Sequence, residues 1–296
     1  MANPEILSFA EQKKIFFSIM RQKIKPDKIK VFLIIVANTL DPVIGEGCKK
    51  DINTVHSVFS SLGKHEEYLL SDIVIADKDY SMENVIEITE SLRPGPNDVV
   101  VFYYTGHGFR FKSEQDKRSP QMDLQSAPAT NKIQEITSNT KNLQEIFEII
   151  KSKGARLNLV IGDCCNHKIN FKPKFSRTGS EALPVLTIPT KINDQVIKKF
   201  FCEPKSSILV SSADIGQLSI VDEEAGSIFT AHFAHVLCQH LHDENFDHAD
   251  LKWEKLLHKA SKATFDASRG YDIGGGVPGD QQAFYDIDID LDGVLS

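Results

Sequence analysis

A histidine stands between two glycines where the apolar run of "VVVFYYTGHG" (99–108) ends. Fifty-eight residues beyond His107, a second apolar run, "LNLVIGDCCN" (157–166), ends in Asp163 and two adjacent cysteines, Cys164 and Cys165. A thiol is a strong nucleophile only as the thiolate, and a nearby imidazole can take its proton. Gly106 and Gly108 allow close backbone approach around His107. The backbone N–H groups of Gly108 and of the cysteine can together bind an oxyanion, usually the largest contribution in acyl transfer. Taken singly, a lone histidine or cysteine is most often structural. Both groups, however, follow buried strands, and both precede unusually long loops.

Those strands belong to a repeating plan. Apolar runs of strand length recur at "KVFLIIVA" (30–37), "YLLSDIVIA" (68–76), "DVVVFYY" (98–104), "LNLVIG" (157–162) and "SSILVSSA" (206–213), with a last one near "QAFYDIDI" (282–289). Nearly continuous Val, Ile, Leu and Phe without alternation means burial on both faces, as in a parallel sheet covered by helices. Helical stripes lie between them: Ile52, Val55, Phe59 and Leu62; Val85, Ile88 and Leu92; Leu143, Ile146, Phe147 and Ile150. Two further helices are expected at about 227–242 and 250–265. Strand, helix and strand in alternation make the class α/β. The first 28 residues read as an amphipathic helix with Ile6, Phe9, Phe16 and Met20 on one face, either packed on the domain edge or docking a partner. Residues 109–140 and 166–205 are long, polar and contain proline, without a clear helix. Loops of that length in a compact domain usually carry function. Ligands of open α/β sheets bind outside the carboxyl ends of the strands, so His107 and the cysteine pair should share a loop-lined cleft.

Composition narrows the function. The 296 residues are 41% hydrophobic and carry a formal charge of −7, which argues against a nucleic-acid surface and suits a cationic substrate. No run approaches the ~18 apolar residues of a membrane span. The start has no basic segment followed by an apolar stretch and a cleavage site. Five cysteines (48, 164, 165, 202 and 238) are too few and too irregular for a disulfide framework, so a cytoplasmic protein is expected.

Strands ending "YYTGHG" and "IGDCCN" resemble those of the caspase-like cysteine peptidases, metacaspases most closely. Against the metacaspase pattern Asp-Ser-Cys-His-Ser-Gly, Asp163 matches the Asp, Cys164 the Ser and Cys165 the nucleophile. "GCKKDI" (47–52) is similar to the family's Gly-Cys-x-Asn-Asp-Ala, and "ILVSSADIGQLSIVDEEAGSIFTAHF" (208–233) to its Ser-Ala-Ser loop followed by Gly-x-Phe-Thr. The blocks keep the family's order from about 30 to 265. Asn166 and His167 replace the family's His-Ser after the nucleophile, and Glu114, Asp116 and Asp123 are too dispersed for the acidic cluster of calcium-dependent metacaspases.

The resemblance implies a caspase-like sandwich, with a mostly parallel central β-sheet flanked by helices, over 30–296, and a helical extension over 1–29. It implies a cysteine endopeptidase with a dyad of Cys165 and His107, an oxyanion site at Gly108 and Cys165, and no metal or other cofactor. Its partner is a polypeptide with Arg, or less well Lys, before the cut. The primary pocket would hold Asp51 and Asp163, with Cys48 and Thr105 completing the wall. Independently, two carboxylates at strand ends repel unless a cation joins them, and a guanidinium fits such a pair bidentately. The substrate is expected to add as a strand along Ser211, Ser212 and Asp214. The basic stretch "HKINFKPKFSRTGS" after the nucleophile suggests self-cleavage, with Arg177 as the expected site. One rival is a caspase fold without catalysis that serves as a scaffold. Another is a redox or metal site built from His107, Cys164, Cys165 and His167, disfavoured because vicinal cysteines chelate one ion poorly. "DIDIDLDG" (286–293) mimics the start of an EF-hand loop but reads as an edge strand.

Overall fold

The computed structural model describes residues 7–23, 28–114, 117–126, 132–168, 176–177, 183–189, 191–222, 224–242 and 251–289. Six strands form one sheet: β1 (Ile29–Ala37), β2 (Tyr68–Ile75), β3 (Val99–Thr105), β4 (Leu157–Asp163), β5 (Ser206–Ser211) and β6 (Phe284–Ile289). Their order is β6-β5-β4-β3-β1-β2, parallel throughout except that β6 runs antiparallel to β5. β3, β4 and β5 are buried at every position, as their unbroken apolar runs require.

Successive side chains of these strands point to opposite faces, which splits the core in two. Val31, Leu33, Ile35, Val99, Val101 and Tyr103 meet helices α2 (Gly45–Leu62), α5 (Ile228–His242) and α6 (Trp253–Ser268). Phe32, Ile34, Val36, Val100, Phe102 and Tyr104 meet α1 (Phe9–Arg21), α3 (Met82–Ser91) and α4 (Leu143–Lys151). The result is an α/β sandwich of three layers. Among the described residues no helix is long and apolar enough to cross a membrane.

The amphipathic N-terminal segment packs on the sheet. A capping box starts α1, with Ser8 and Glu11 satisfying each other's backbone N–H groups. Phe16 and Met20 are buried against the sheet, and the Gln12 side chain accepts the N–H of Val74 at 3.0 Å on edge strand β2. At the opposite edge, β6 carries Asp286 and Asp288 outward.

The two long loops contain more structure than the sequence suggested. Gly108–Phe109, Gln121–Asp123 and Thr140–Asn142 form a small antiparallel sheet, with a short helix at Ile133–Ser138. Strands of two or three residues are too short to show periodicity. Asp194–Ile197 continues into a π-helical turn at Lys198–Cys202, which drives Phe200 and Phe201 fully into the core. The wider π turn breaks the 3.6-residue pattern that would have announced a helix.

Candidate active site

The sheet's topology changes direction between β1 and β3: the chain goes outward to β2 on one side, and to β4 and β5 on the other. The carboxyl ends flanking such a point form a crevice. In register, Ala37 of β1 pairs with Thr105 of β3, and Thr105 with Asp163 of β4. His107 and Cys165 therefore leave their strands at the same level, each two residues past the Thr105–Asp163 pair. A Cβ at Gly108 would lie 2.5 Å from Cys164 Sγ and 2.5 Å from the Cys165 carbonyl oxygen, so only glycine lets the two segments touch. Cys164 is buried, whereas Cys165 is half-buried.

The Cys165 thiol donates to the Ser219 carbonyl at 3.6 Å and accepts from the Ser219 N–H at 3.4 Å. Burial pushes this thiol up to about 11, and the Ser219 N–H only partly offsets it. At neutral pH the thiol keeps its proton and needs a base. His107 is half-exposed, and its Nε2 meets Asp41 Oδ2 at 2.9 Å. Asp41 was not among the residues that sequence reasoning singled out. It lies in the loop after β1, where nothing in residue type marks it beyond its place at the sheet's switch point.

The turn after Cys165 is fastened by Asn166, one of the two departures from the metacaspase pattern. Fully buried, Asn166 accepts from Arg110 at 3.0 Å and donates to the carbonyls of Arg118 and Ala213. His167 is half-buried, and its backbone carbonyl accepts the Arg110 N–H at 2.9 Å. Among the described residues, no group of three or more His, Cys, Asp or Glu is placed to hold a metal ion.

Beside the thiol lies an acid pair. Asp51 is 1% exposed and Asp163 2%. Asp51 accepts the Ser227 N–H and hydroxyl, each at 2.8 Å, and the Thr105 hydroxyl at 2.7 Å. The Thr105 hydroxyl also reaches Cys48 Sγ at 3.6 Å. Asp163 accepts from the hydroxyls of Ser219 and Thr230, both at 2.6 Å. Gly226, at φ 87°, gives Asp51 room, because a Cβ there would come 2.5 Å from Oδ1. Among the described residues no ion pair joins either acid to a cation. Burial, then the neighbouring charge of Asp163, raises Asp51 to about 7; burial likewise raises Asp163. Two such carboxyls resist double ionisation until a cation arrives. Ser219, Ser227 and Thr230 were missed as ligands because hydroxyl residues are too common to stand out in a sequence.

Ser211 and Ser212 do not form an open edge. Ser211 lies in the sheet between Gly162 and Phe284, and the Ser212 N–H reaches the Gly162 carbonyl. The Ser212 carbonyl accepts from Gln281, and the Asp214 N–H donates to Gln217. An incoming strand must displace these contacts or pair beyond Asp214, whose carboxylate is clamped by Arg118 at 2.6 and 2.9 Å. At Arg177 only the backbone is described: Ser176–Arg177 pairs antiparallel with Tyr271–Asp272. Most of "HKINFKPKFSRTGS" lies outside the described residues.

A family model described as the caspase domain matches residues 33–272. No curated protein matches the chain.

Proposed function

The chain belongs to the caspase-domain family and is a cysteine peptidase; from that premise we propose that it is an endopeptidase of the metacaspase kind, cutting after Arg and less well after Lys. The observation that carries this reading is the buried pair Asp51 and Asp163 beside the Cys165 thiol, two carboxyls that no cation among the described residues pairs. A guanidinium entering between them would complete charge-assisted hydrogen bonds, offsetting the burial that now raises both acids and the Asp163 charge that adds to it at Asp51. Aspartate before the cut would add a third carboxyl to the same pocket and no cation to offset it.

In this mechanism His107 takes the Cys165 proton and the thiolate attacks the peptide carbonyl carbon. The oxyanion is held by backbone N–H groups at Gly108 and Cys165. The imidazolium then protonates the leaving amine, and water releases the acyl group. Ser219 and Ser227, which now hold the thiol and Asp51, must yield as substrate enters.

Covalent labelling tests this reading. A peptidyl-arginyl chloromethyl ketone is expected to add once per chain, at Cys165 by peptide mapping, while its aspartyl counterpart leaves the thiol free. Labelling by the aspartyl reagent alone would overturn the pocket, and no labelling by either would favour a silent scaffold. Self-cleavage after Arg177 is part of the proposal, since Arg177 is a residue this pocket accepts. Its backbone must first leave the ladder with Tyr271. Intact mass of wild type beside Cys165→Ala is expected to show two fragments in wild type alone; an uncut, fully active wild type would exclude processing.

A further inference from the structure

The loop joining β1 to α2 holds an acid against the base of the dyad. Asp41 Oδ2 meets His107 Nε2 at 2.9 Å, and Asp41 Oδ1 accepts the N–H groups of Val43 at 2.8 Å and Ile44 at 3.0 Å. One oxygen is thus pinned by the backbone and the other is aimed at the imidazole. The loop itself is braced. The Thr39 hydroxyl donates to Asp77 Oδ1 at 2.7 Å and accepts the Asp77 N–H at 2.9 Å, and Asp77 takes a left-handed φ of 51° there. A non-glycine residue costs energy in that region, so the surroundings over-determine this contact. The Asp41 side chain is 11% exposed, which shields the contact from water.

From this geometry we propose that Asp41 is a positioning residue for the proposed peptidase reaction, fixing His107 as the Nε2–H tautomer and turning the dyad into a Cys165–His107–Asp41 arrangement. The inference rests on the peptidase reading above. A carboxylate only accepts hydrogen bonds, so Nε2 must carry the proton facing it. Nδ1 is then left with the lone pair that takes the proton from Cys165 Sγ. Once that transfer makes an imidazolium, Asp41 stabilises the new charge without taking the proton itself. Partial burial pushes the Asp41 carboxyl up, but the His107 contact and the two backbone N–H groups outweigh it and hold it at about 2. Asp41 is therefore ionised across the working range. The other ionisable groups felt there are Asp123, whose charge acts on both His107 and Asp41, and Cys48, which senses Asp41.

The test uses Asp41→Asn, which keeps an Oδ1 acceptor for Val43 and Ile44 but presents an N–H donor to Nε2. That favours the Nδ1–H tautomer, in which the base has no lone pair for the thiol. Peptide turnover is expected to show kcat lower by ~100-fold or more with KM within about twofold, and Asp41→Glu to recover part of the loss. Iodoacetamide alkylation of Cys165 is expected to need higher pH in Asp41→Asn than in wild type. Nitrogen-15 spectra of the wild-type imidazole supply a readout independent of any variant: Nε2–H with a bare Nδ1 is expected. An Nδ1–H tautomer in wild type, or Asp41→Asn with wild-type kcat and alkylation profile, would overturn the proposal. If wild type cuts no peptide, the peptidase reading fails, while the tautomer and the alkylation profile still decide the role of Asp41.

Discussion

At the residue scale, the site divides labour between a thiol that burial keeps protonated and an acid pair that burial keeps from ionising fully. Cys165→Ala is expected to abolish peptide hydrolysis and His107→Ala to lower kcat by several orders of magnitude, because the two act as a unit. Cys164→Ser should keep substantial activity: Cys164 is buried against Gly108 and makes no contact the chemistry requires. Activity assays on the three variants check this order, and a dead Cys164→Ser beside an active Cys165→Ala would reverse it. Asp51 gives a second expectation, for pH. Its carboxyl is raised to about 7 by burial and then by Asp163, against an ordinary value of about 4. The folded chain therefore holds this proton more tightly than the unfolded one. Its contribution to stability is complete below pH ~4 and falls as pH rises through about 7. Thermal melts of Asp51→Asn should gain on wild type at pH 8 relative to pH 5. A variant that gains nothing at pH 8 would mean that the hydroxyl contacts, and not desolvation, dominate at Asp51.

At the element scale, α1 protects the sheet. It covers one face beside β2 with Phe16 and Met20, and Gln12 satisfies the Val74 N–H on that edge. Truncating a buried phenylalanine usually costs about 3–5 kcal/mol, a large share of the 5–15 kcal/mol that holds a typical domain together. Phe16→Ala is therefore expected to lower the denaturant midpoint strongly while leaving KM nearly unchanged, and a large KM change would give α1 a part in substrate binding. The elements also explain what could be read from sequence. The inner strands were legible because burial on both faces writes unbroken apolar runs such as "VVVFYYT" and "LNLVIG", and the edge strands β2 and β6 because apolar residues there are interrupted by or alternate with polar ones. His107 and Cys165 stood out because each follows a buried strand and precedes a long loop, whereas Asp51 and Asp163 were assigned through the family resemblance. Asp41 was hidden in a loop whose path depends on the remote Thr39–Asp77 brace. The helical stretch at 194–202 was hidden by its π turn, and the small sheet by strands of two or three residues.

At the scale of the whole molecule, the three layers bring the candidate site to the sheet's switch point, and the chain's charge of −7 favours the approach of cationic peptides. The self-satisfied backbone of Ser211 and Ser212, the Ser219 clamp on Cys165 and the Ser227 clamp on Asp51 together describe a site closed over its own chemistry. On the proposed reading, a ligand opens it by placing a cation between the two buried acids. The most direct measurement is kcat/KM for three fluorogenic peptides identical except for arginine, citrulline or aspartate before the cut. Citrulline keeps arginine's shape and removes its charge. One hydrogen-bonded buried charge is worth about 1.5–3 kcal/mol, so arginine should exceed citrulline by roughly 10- to 100-fold, with no turnover of the aspartyl peptide. Equal rates on arginine and citrulline, or efficient cleavage after aspartate, would contradict the account.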